Sequence, residues 1–343
     1  MSTGGRVVPK LVAALEPLRV GLSGAGQMGA HHARVLASGD IAGCRLTAVF
    51  DPDAARARAL AARVGARVSG SFDELLERCD AVVVASATNV HSEQVRACVA
   101  AGRHVLVEKP AAPDLEAAVA LQDAVAGHGG SLVVQVGHIE HFNPSVARIR
   151  ELLVGDAPLV VSARRLGPPT VRADRLDVVS DLMLHDIHVA LSLEPGPLQG
   201  VAGVALRRRG GPTDYAHAAL LFDGGLVAQL TVSRITQERI RVLEVTTASA
   251  HLTADYARQT VEIAFWGDER GRVVDQVAVT AEEPLLAELR AFAAAIRAGT
   301  PAEVGLDAAV RCMHVVDAIN AALDVRTGRF DGRPPAAAAA TGA

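Results

Sequence analysis

The first 140 residues alternate short apolar runs with stretches of helical periodicity. The apolar runs are rich in β-branched residues, and in chain order they are LRVGLSG, RLTAVFD, AVVVAS, HVLVE and LVVQVG. Almost continuous apolar strands separated by helices are typical of a parallel sheet that is covered on both faces. The pattern therefore predicts a doubly wound α/β domain over residues 17–140, which would bind ligands at the carboxyl ends of its strands.

After about residue 140 the strands follow one another with few helices between them. The run LVAQLTVS alternates, with Leu226, Ala228, Leu230 and Val232 on one face and mostly polar residues on the other. Similar alternation in DYAHAALLF, RVLEVTTAS and QTVEIAFW predicts a large, mostly antiparallel open sheet with one packed face. The second domain is therefore predicted to be α+β.

Helices and termini complete the predicted layout. The sheet domain spans residues 141–330 and is closed by helices, the first of which starts at Pro284 and stops at Gly299. Residues 1–16 are predicted to form a flexible extension, and residues 331–343 a disordered, low-complexity tail.

The composition excludes several classes of protein. The formal net charge of −4 gives no basic footprint for nucleic acid and no polybasic membrane anchor. No apolar run approaches the ~20 residues that span a bilayer. The four cysteines are widely spaced and form no C-x-x-C pair, which argues against a disulfide scaffold or a zinc ribbon. We therefore expect a cytoplasmic protein with neither a nucleic-acid nor a membrane partner.

The segment GLSGAGQMGAHHARVL carries Gly24, Gly26 and Gly29 in the spacing G-x-G-x-x-G, after a strand and at the start of a helix. The first glycine permits a tight turn, the second lets a pyrophosphate approach the backbone, and the third lets the helix pack closely on the strand. The helix start, with Gln27 and Met28, offers backbone N–H groups to the phosphates. The segment predicts a dinucleotide-binding Rossmann domain.

Asp51 ends the second strand, 22 residues after Gly29, near the position expected for an acid that binds the ribose. Its carboxylate would accept hydrogen bonds from the ribose hydroxyls and repel a 2′-phosphate, which favours NAD over NADP. The alternative role, compatible with the first, is to cap the helix that starts at Pro52. Arg56 is the nearest cation that could weaken the preference for NAD.

The segment SDLMLHDIHVALS places Asp181, His185, His188 and Ser192 on one face of a predicted helix, while its apolar residues lie on another. Polar groups on a buried helix need partners. Asp181 can reach His185 at i, i+4 and hold its imidazole in one tautomer, which suits a general base. Alternatively, these residues only brace the helix or bind a metal, but no third ligand is evident and no metal is predicted.

Lys109 follows the strand HVLVE and precedes Pro110, so its ammonium would project towards the ligand end of the sheet. Together with GAGQMGAHH, ATNVHSEQVRACVAAGRHVLVEKP and SDLMLHDIH, this EKP segment resembles the Gfo/Idh/MocA oxidoreductase family. The resemblance implies that Lys109 is catalytic or orients the substrate, with Glu108 supporting it. It also implies that His185 is the general base, with Asp181 behind it. The alternative is a surface lysine after an edge strand.

The same resemblance assigns further residues to two sites. It places the cofactor against Gly24, Gly26, Gln27, Met28, Gly29, Asp51, Thr88, His91, Glu108 and Lys109. It places the substrate against Lys109, His138, Asn143, Asp181 and His185. The closing segment, residues 284–328, resembles the helical end of the family.

The segment VGHIEHFNPSV resembles VGHIERFNP in a branch of the family that oxidises UDP-N-acetylglucosamine at its 3-hydroxyl. That reaction precedes transamination in routes to 3-amino sugars of lipid A or O-antigen. From the residues alone, Asn143 before Pro144 is equally an N-cap or an amide donor to a sugar. The chain departs from the branch pattern at His141, where arginine is usual, at Asn89, and at His188, where aspartate is usual.

The expected reaction follows from this resemblance. His185 would remove the proton from a sugar hydroxyl while hydride passes to NAD, and Lys109 would donate a hydrogen bond to the forming carbonyl. The reverse assignment, with Lys109 as the base, stays open. Arg164 and Arg165, on a strand of the second domain, are expected at the surface, with contact to a diphosphate as the alternative.

Other functions and partners also stay open at this point. Alternative substrates are UDP-N-acetylglucosaminuronate and myo-inositol, and a reductase that uses NADPH is a further alternative. A non-catalytic, dinucleotide-binding regulator belongs to a different class. We expect a homodimer or homotetramer, because one face of the large sheet is mostly apolar, and a functional link to a pyridoxal-phosphate aminotransferase.

Overall fold

The protein is described here from a computed structural model. The described residues are 16–128, 131–169, 177–208, 211–266 and 273–328. The predicted extension, apart from Glu16, and the predicted tail both lie outside them.

The first domain is a six-stranded sheet flanked by helices. Its strands are β1 (Leu18–Ser23), β2 (Cys44–Phe50), β3 (Arg67–Val68), β4 (Ala81–Val84), β5 (His104–Glu108) and β6 (Val134–Gly137). Its helices are α1 (Gln27–Ala37), α2 (Ala54–Val64), α3 (Phe72–Glu77), α4 (His91–Ala100) and α5 (Leu115–Ala126). All neighbouring strands are parallel, in the order β3-β2-β1-β4-β5-β6.

This strand order confirms the predicted Rossmann domain. The order reverses between β1 and β4, and in such sheets ligands bind outside the carboxyl ends of the strands at the reversal. The central strands are buried on both faces, as their continuous apolar sequences predicted, and all four residues of β4 are buried. The loops that carry the glycines, Thr88 and Lys109 therefore meet at one edge of the sheet.

The second domain contains a nine-stranded sheet. Its strands are β7 (Pro158–Leu166), β8 (Leu198–Arg208), β9 (Thr213–Phe222), β10 (Val227–Ser233), β11 (Ile240–Thr247), β12 (Ala250–Asp255), β13 (Thr260–Phe265), β14 (Val274–Val277) and β15 (Leu323–Gly328). The order is β14-β13-β12-β11-β7-β10-β9-β8-β15. The pairs β7–β10 and β8–β15 are parallel and the others are antiparallel, which confirms the predicted α+β domain.

The two faces of this sheet differ. Leu226, Ala228, Leu230 and Val232 are at most 2% exposed, so they form part of the core as predicted. The helices in the C-terminal part of the chain are α6 (Pro144–Leu152), α7 (Leu184–Leu191), α8 (Pro284–Ala298) and α9 (Leu306–Ala322). Three of them, α6, α7 and α9, cover the packed face. Strands of the sheet also present exposed apolar side chains, namely Leu159, Val204, Leu221, Phe265, Val274 and Val325.

The closing segment is only partly as predicted. α8 starts at Pro284 and is ended by Gly299 at φ 64°, as expected. Its residues Leu289 and Phe292 pack into the core of the first domain, although the helix was predicted to close the second. The last six described residues are not helical. They form β15, in which the alternation of Leu323 and Val325 with charged residues suits an edge strand better than a helix. Among the described residues, no helix is long and apolar enough to cross a membrane.

Candidate active site

The glycine segment forms the tight strand-to-helix turn that its spacing predicted. Gly24 has φ 100°, and a Cβ on it would lie 2.4 Å from the carbonyl oxygen of Ala85. A Cβ on Gly29 would lie 1.9 Å from the carbonyl oxygen of Gly24. Side chains at Gly24 and Gly29 are therefore excluded by the protein itself, which brings α1 close to β1 and β4.

Gly26 differs from its two neighbours. A Cβ on Gly26 would meet no atom within 4 Å, so nothing in the protein requires a glycine there. Gly26 is the N-cap of α1, which has no side-chain cap and no acidic residue in its first turn. The first N–H groups of the helix, from Gln27 and Met28 onwards, are thus left to an anionic ligand. This open space and the uncapped helix fit the pyrophosphate of a dinucleotide.

Asp51 joins the two loops at this edge of the sheet. Its Oδ2 accepts a hydrogen bond from Ala25 N at 2.7 Å, and its Oδ1 accepts one from Asp53 N at 2.8 Å. The predicted capping role is wrong, because α2 starts at Ala54 and its N-cap is Asp53. Asp51 therefore fixes the glycine loop, and each of its oxygens has a remaining lone pair for a ribose hydroxyl. Arg56 lies 3.2 Å from the Asp53 carboxylate.

Thr88 and His91 follow β4, and the structure separates their roles. Thr88 is half-buried at the start of a short 3-10 turn at the ligand edge of the sheet. The His91 ring is buried, with Nδ1 2.9 Å from the carbonyl oxygen of Pro110 and Nε2 3.2 Å from that of Ser86. The assignment of His91 to the cofactor is therefore corrected: both ring nitrogens face carbonyl oxygens, so His91 braces the loops after β4 and β5.

Lys109 directly follows β5 and reaches the second domain. Its Nζ donates a hydrogen bond to the carbonyl oxygen of Asp181 at 2.8 Å and lies 3.3 Å from Asp181 Oδ1. The Lys109 side chain is only 16% exposed, which excludes the alternative of an ordinary surface lysine. Arg234 Nη2 lies 3.8 Å from the other carboxylate oxygen of Asp181, so this acid stands between two cations.

The predicted pairing of Asp181 with His185 is wrong. Residues Val179–Met183 form a turn of π-helix before α7, and such a turn holds one residue more than an α-helical turn. Although Asp181 and His185 are four residues apart in the sequence, their side chains therefore do not lie one above the other on the helix, as the prediction assumed. Asp181 contacts Lys109 instead, while His185 Nδ1 is buried with no hydrogen-bond partner in the part of the chain that the structure describes.

His185 is half-buried and uncharged at neutral pH. Its pKa is lowered well below 6.5, first by burial and then by the positive charges of Lys109 and Arg165. A neutral imidazole can accept a proton, so its protonation state suits a general base. The influence of Lys109 on this pKa also indicates that the two side chains share one electrostatic environment.

Glu108, which was expected to support Lys109, contacts a buried histidine instead. Its Oε1 lies 2.7 Å from Nε2 of His32, which is fully buried on α1. The carboxyl of Glu288 on α8 is buried nearby, and burial together with the Glu108 carboxylate raises its pKa well above 4.5. Within the described ranges, Glu108 shows no contact with the Lys109 ammonium. It fixes the end of β5 to α1.

Arg165 was expected at the surface but is 3% exposed. Its Nε and Nη2 donate to both carboxylate oxygens of Asp186, at 2.9 and 2.8 Å, and its Nη1 donates to Glu140 Oε1 at 2.8 Å. Sequence reasoning missed Asp186, which follows His185 directly. The charged network holds α7 against β7 and the turn after β6, and thereby fixes the helix that carries His185.

Two residues predicted to bind the substrate are occupied by the protein. Asn143 is the N-cap of α6, and its amide donates to Glu140 Oε2 at 3.1 Å and to the carbonyl oxygen of Tyr256 at 3.2 Å. No N–H of Asn143 is left for a sugar, so the capping alternative is the right one. His138 is 2% exposed and stacks on His188 with ring centroids 4.2 Å apart, so its assignment to the substrate is also corrected.

Comparison with known proteins agrees with this geometry. The Gfo/Idh/MocA model, an oxidoreductase family with an NAD-binding Rossmann fold, matches residues 18–138. A UDP-N-acetylglucosamine 3-dehydrogenase from Acidithiobacillus ferrooxidans is 32% identical over 297 residues, which cover 83% of this chain and 90% of the relative. Its solved structure matches with a TM-score of 0.83 over 89% of this chain and 97% of the other. An inositol 2-dehydrogenase from Saccharopolyspora erythraea is 38% identical over 181 residues, about half of each chain.

Proposed function

The chain belongs to the Gfo/Idh/MocA family of oxidoreductases, and on this basis we propose that it oxidises the 3-hydroxyl of UDP-N-acetylglucosamine to a ketone. The observation that carries the proposal is the contact of Lys109 with Asp181, which joins the end of β5 to the turn before His185. The similarity to a UDP-N-acetylglucosamine 3-dehydrogenase over most of the chain supports the choice of substrate.

Lys109 is proposed to hold the reacting oxygen. An ammonium has three N–H donors, and two of them face the carbonyl and carboxylate oxygens of Asp181. The third can donate to the sugar oxygen, and this bond strengthens as the oxygen becomes a carbonyl. Asp181 thus acts as a positioning residue for Lys109. This role replaces its predicted role as the partner of His185.

His185 is proposed to remove the hydroxyl proton. Its imidazole is neutral because its pKa is well below 6.5, and the nearby ammonium favours a negative charge on the sugar oxygen. NAD, held by the glycine loop and Asp51, would supply the acceptor for the hydride of the adjacent carbon. The reverse assignment, with Lys109 as the base, is the alternative for the same pair of residues.

We further propose that NAD is preferred over NADP. Asp51 lies at the end of β2 with lone pairs available to ribose hydroxyls, and its negative charge opposes a 2′-phosphate. Arg56, the cation expected to weaken this preference, is engaged by Asp53. A comparison of kcat/KM with the two cofactors tests this point.

A homodimer or homotetramer is proposed on the basis of the second sheet. Exposed apolar side chains lie on six of its strands, and exposed apolar surface of this kind is suited to a symmetric interface. We place the reaction in a reducing cytoplasm, since the four cysteines are free thiols. A pyridoxal-phosphate aminotransferase is the natural consumer of the 3-keto product.

The test is NADH formation by the purified chain with a panel of substrates. The panel contains UDP-N-acetylglucosamine, its uronic acid, myo-inositol and free glucose, with an aminotransferase and glutamate added to remove the ketone. We expect NADH only with UDP-N-acetylglucosamine, and a product oxidised at carbon 3.

Other outcomes would replace this proposal in defined ways. NADH formation with myo-inositol but not with the nucleotide sugars would favour the activity named for the inositol 2-dehydrogenase relative. Binding of NAD without turnover of any member of the panel would favour a regulatory, dinucleotide-binding protein.

A further inference from the structure

A second arginine lies beside Arg165 on the large sheet. Arg241 on β11 is paired with Arg165 on β7. Leu243 and Val245, further along β11, are buried in the core, and every second side chain of a strand lies on the same face. The side chain of Arg241 therefore extends from the packed face of the sheet, which is the face that α7 covers.

This position brings Arg241 close to the proposed catalytic residues. Its neighbour Arg165 donates to Asp186, which directly follows His185 on α7. After burial and Lys109, the positive charges of Arg165 and Arg241 also lower the pKa of His185, so these charges lie within electrostatic range of its ring. His185 and Arg241 are both half-buried, so a bound molecule has access to both of them.

The two arginines differ in their partners. The four carboxylate oxygens of Asp186 and Glu140 accept hydrogen bonds from Arg165 and Asn143. In contrast, the guanidinium of Arg241 makes no hydrogen bond and no ion pair with any residue that the structure describes. Burial, followed by the charge of Arg165, lowers the pKa of Arg241, whereas the carboxylates of Glu140 and Asp186 act in the opposite direction without contacting it.

A half-buried guanidinium of this kind is suited to an anionic ligand. The group is always charged and has five N–H donors, and donors that lose water without gaining an acceptor cost free energy. The planar fork of an arginine matches two oxygens of a phosphate or a carboxylate and forms charge-assisted hydrogen bonds with them. Arg241 therefore fits a negatively charged part of a substrate better than a neutral sugar ring.

We propose that Arg241 binds the diphosphate of the nucleotide-sugar substrate. The inference rests on the proposed function, in which His185 and Lys109 act at carbon 3 of the sugar. The diphosphate is joined to carbon 1, and carbons 1 and 3 flank the same ring carbon, so the diphosphate lies close to the reacting centre. It is also the only charged group of UDP-N-acetylglucosamine, and thus the only part of this substrate that can balance the charge of a guanidinium.

The arginines considered from the sequence for this role are not available for it. The Nε, Nη1 and Nη2 atoms of Arg165 donate to Asp186 and Glu140. Arg164, the next residue along β7, extends from the opposite face of the sheet and lies 3.7 Å from Glu244. Arg241 lies on the side of α7 and has free donors, so it takes the role in their place.

The test is the binding of UDP to the full-length chain, measured by calorimetry. UDP carries the diphosphate and is part of both candidate nucleotide sugars, so the result does not depend on which sugar is oxidised. Arg241→Met should raise the Kd of UDP about 10- to 100-fold, and should raise the KM of UDP-N-acetylglucosamine with little change in kcat. Arg241→Lys keeps the charge but not the fork, so its Kd should lie between those of the wild type and Arg241→Met.

Two controls separate this role from a structural one. Arg241 has no side-chain hydrogen bond to lose, so Arg241→Met should fold, and its Kd for NAD should equal that of the wild type. Arg164→Met is the matched control, because it removes the same charge from the neighbouring strand on the opposite face. It should bind UDP like the wild type.

The possible failures are distinct. An Arg241→Met variant that binds NAD normally and binds UDP within about threefold of the wild type would overturn the role of Arg241 and leave the proposed substrate intact. Wild-type protein that binds NAD but not UDP would overturn both this inference and the choice of a nucleotide sugar.

Discussion

Gly26→Ala is expected to weaken NAD binding without harming the fold. A Cβ at this position meets no atom within 4 Å, and the glycine has an ordinary φ of −76°. The free energy of unfolding should therefore stay the same or rise by up to about 1 kcal/mol, since alanine has less conformational freedom in the unfolded chain. The methyl group occupies the space at the start of α1 where the pyrophosphate is proposed to lie.

The size of the effect follows from the hydrogen bonds that the methyl group prevents. The start of α1 has no side-chain cap, so its N–H groups are the donors available to the phosphates. A hydrogen bond to a charged group contributes about 1.5–3 kcal/mol. Loss of one such bond raises the Kd of NAD about 10- to 150-fold, at 1.4 kcal/mol for each factor of ten.

The assay is a calorimetric titration of NAD into the wild type and the variant, together with urea unfolding of both. Gly200→Ala in β8 is the matched control, because a Cβ there also meets no atom within 4 Å but lies in the other domain. It should leave the Kd of NAD unchanged, and its free energy of unfolding should likewise stay the same or rise by up to about 1 kcal/mol. A Gly26→Ala variant that binds NAD within about threefold of the wild type would show that the pyrophosphate does not approach Gly26.

Three further predictions concern a buried ion pair, His185 and Lys109. Asp186→Ala leaves the buried Arg165 guanidinium without two hydrogen bonds and should lower the free energy of unfolding in urea by about 3 kcal/mol. Glu244→Ala, at the surface pair with Arg164, should lower it by less than about 1 kcal/mol. Equal losses in the two variants would refute a buried ion pair. The folded pKa of His185 is well below 6.5, so its base form persists as the pH falls. A plot of log kcat/KM against pH should therefore be flat from neutrality down to pH 6.5 and decline only below that pH. An inflection near pH 6.5 would contradict the environment described for His185. Lys109→Met should lower kcat by about 10²- to 10⁴-fold and leave the Kd of NAD almost unchanged. Asp181→Asn should lower kcat less than Lys109→Met does. A Lys109→Met variant with the kcat of the wild type would show that Lys109 takes no part in the reaction.

Local patterns predicted the features that depend on neighbouring residues. The glycine spacing, the strand that ends just before Lys109 and the alternation of β10 each place side chains through the geometry of one element, and these predictions agree with the structure. The preference of Asn143 for a helix cap was also visible, although its second role could be excluded only when Tyr256 and Glu140 were found to take both amide hydrogens.

The errors arose where the backbone leaves its regular period or where distant residues meet. The single π-helical turn moved Asp181 away from His185 and towards Lys109, and no residue type in SDLM marks such a turn. Arg165 looked like a surface residue because its two acidic partners lie 21 and 25 residues away.

The most direct test of the proposed active site is the NADH produced by His185→Ala with UDP-N-acetylglucosamine, measured beside its Kd for NAD. His185 lies on α7 and outside the glycine loop, so we expect a loss of turnover of about 10²-fold or more with the Kd of NAD nearly unchanged. Turnover like that of the wild type in this variant would contradict the account, because proton removal would then not depend on His185.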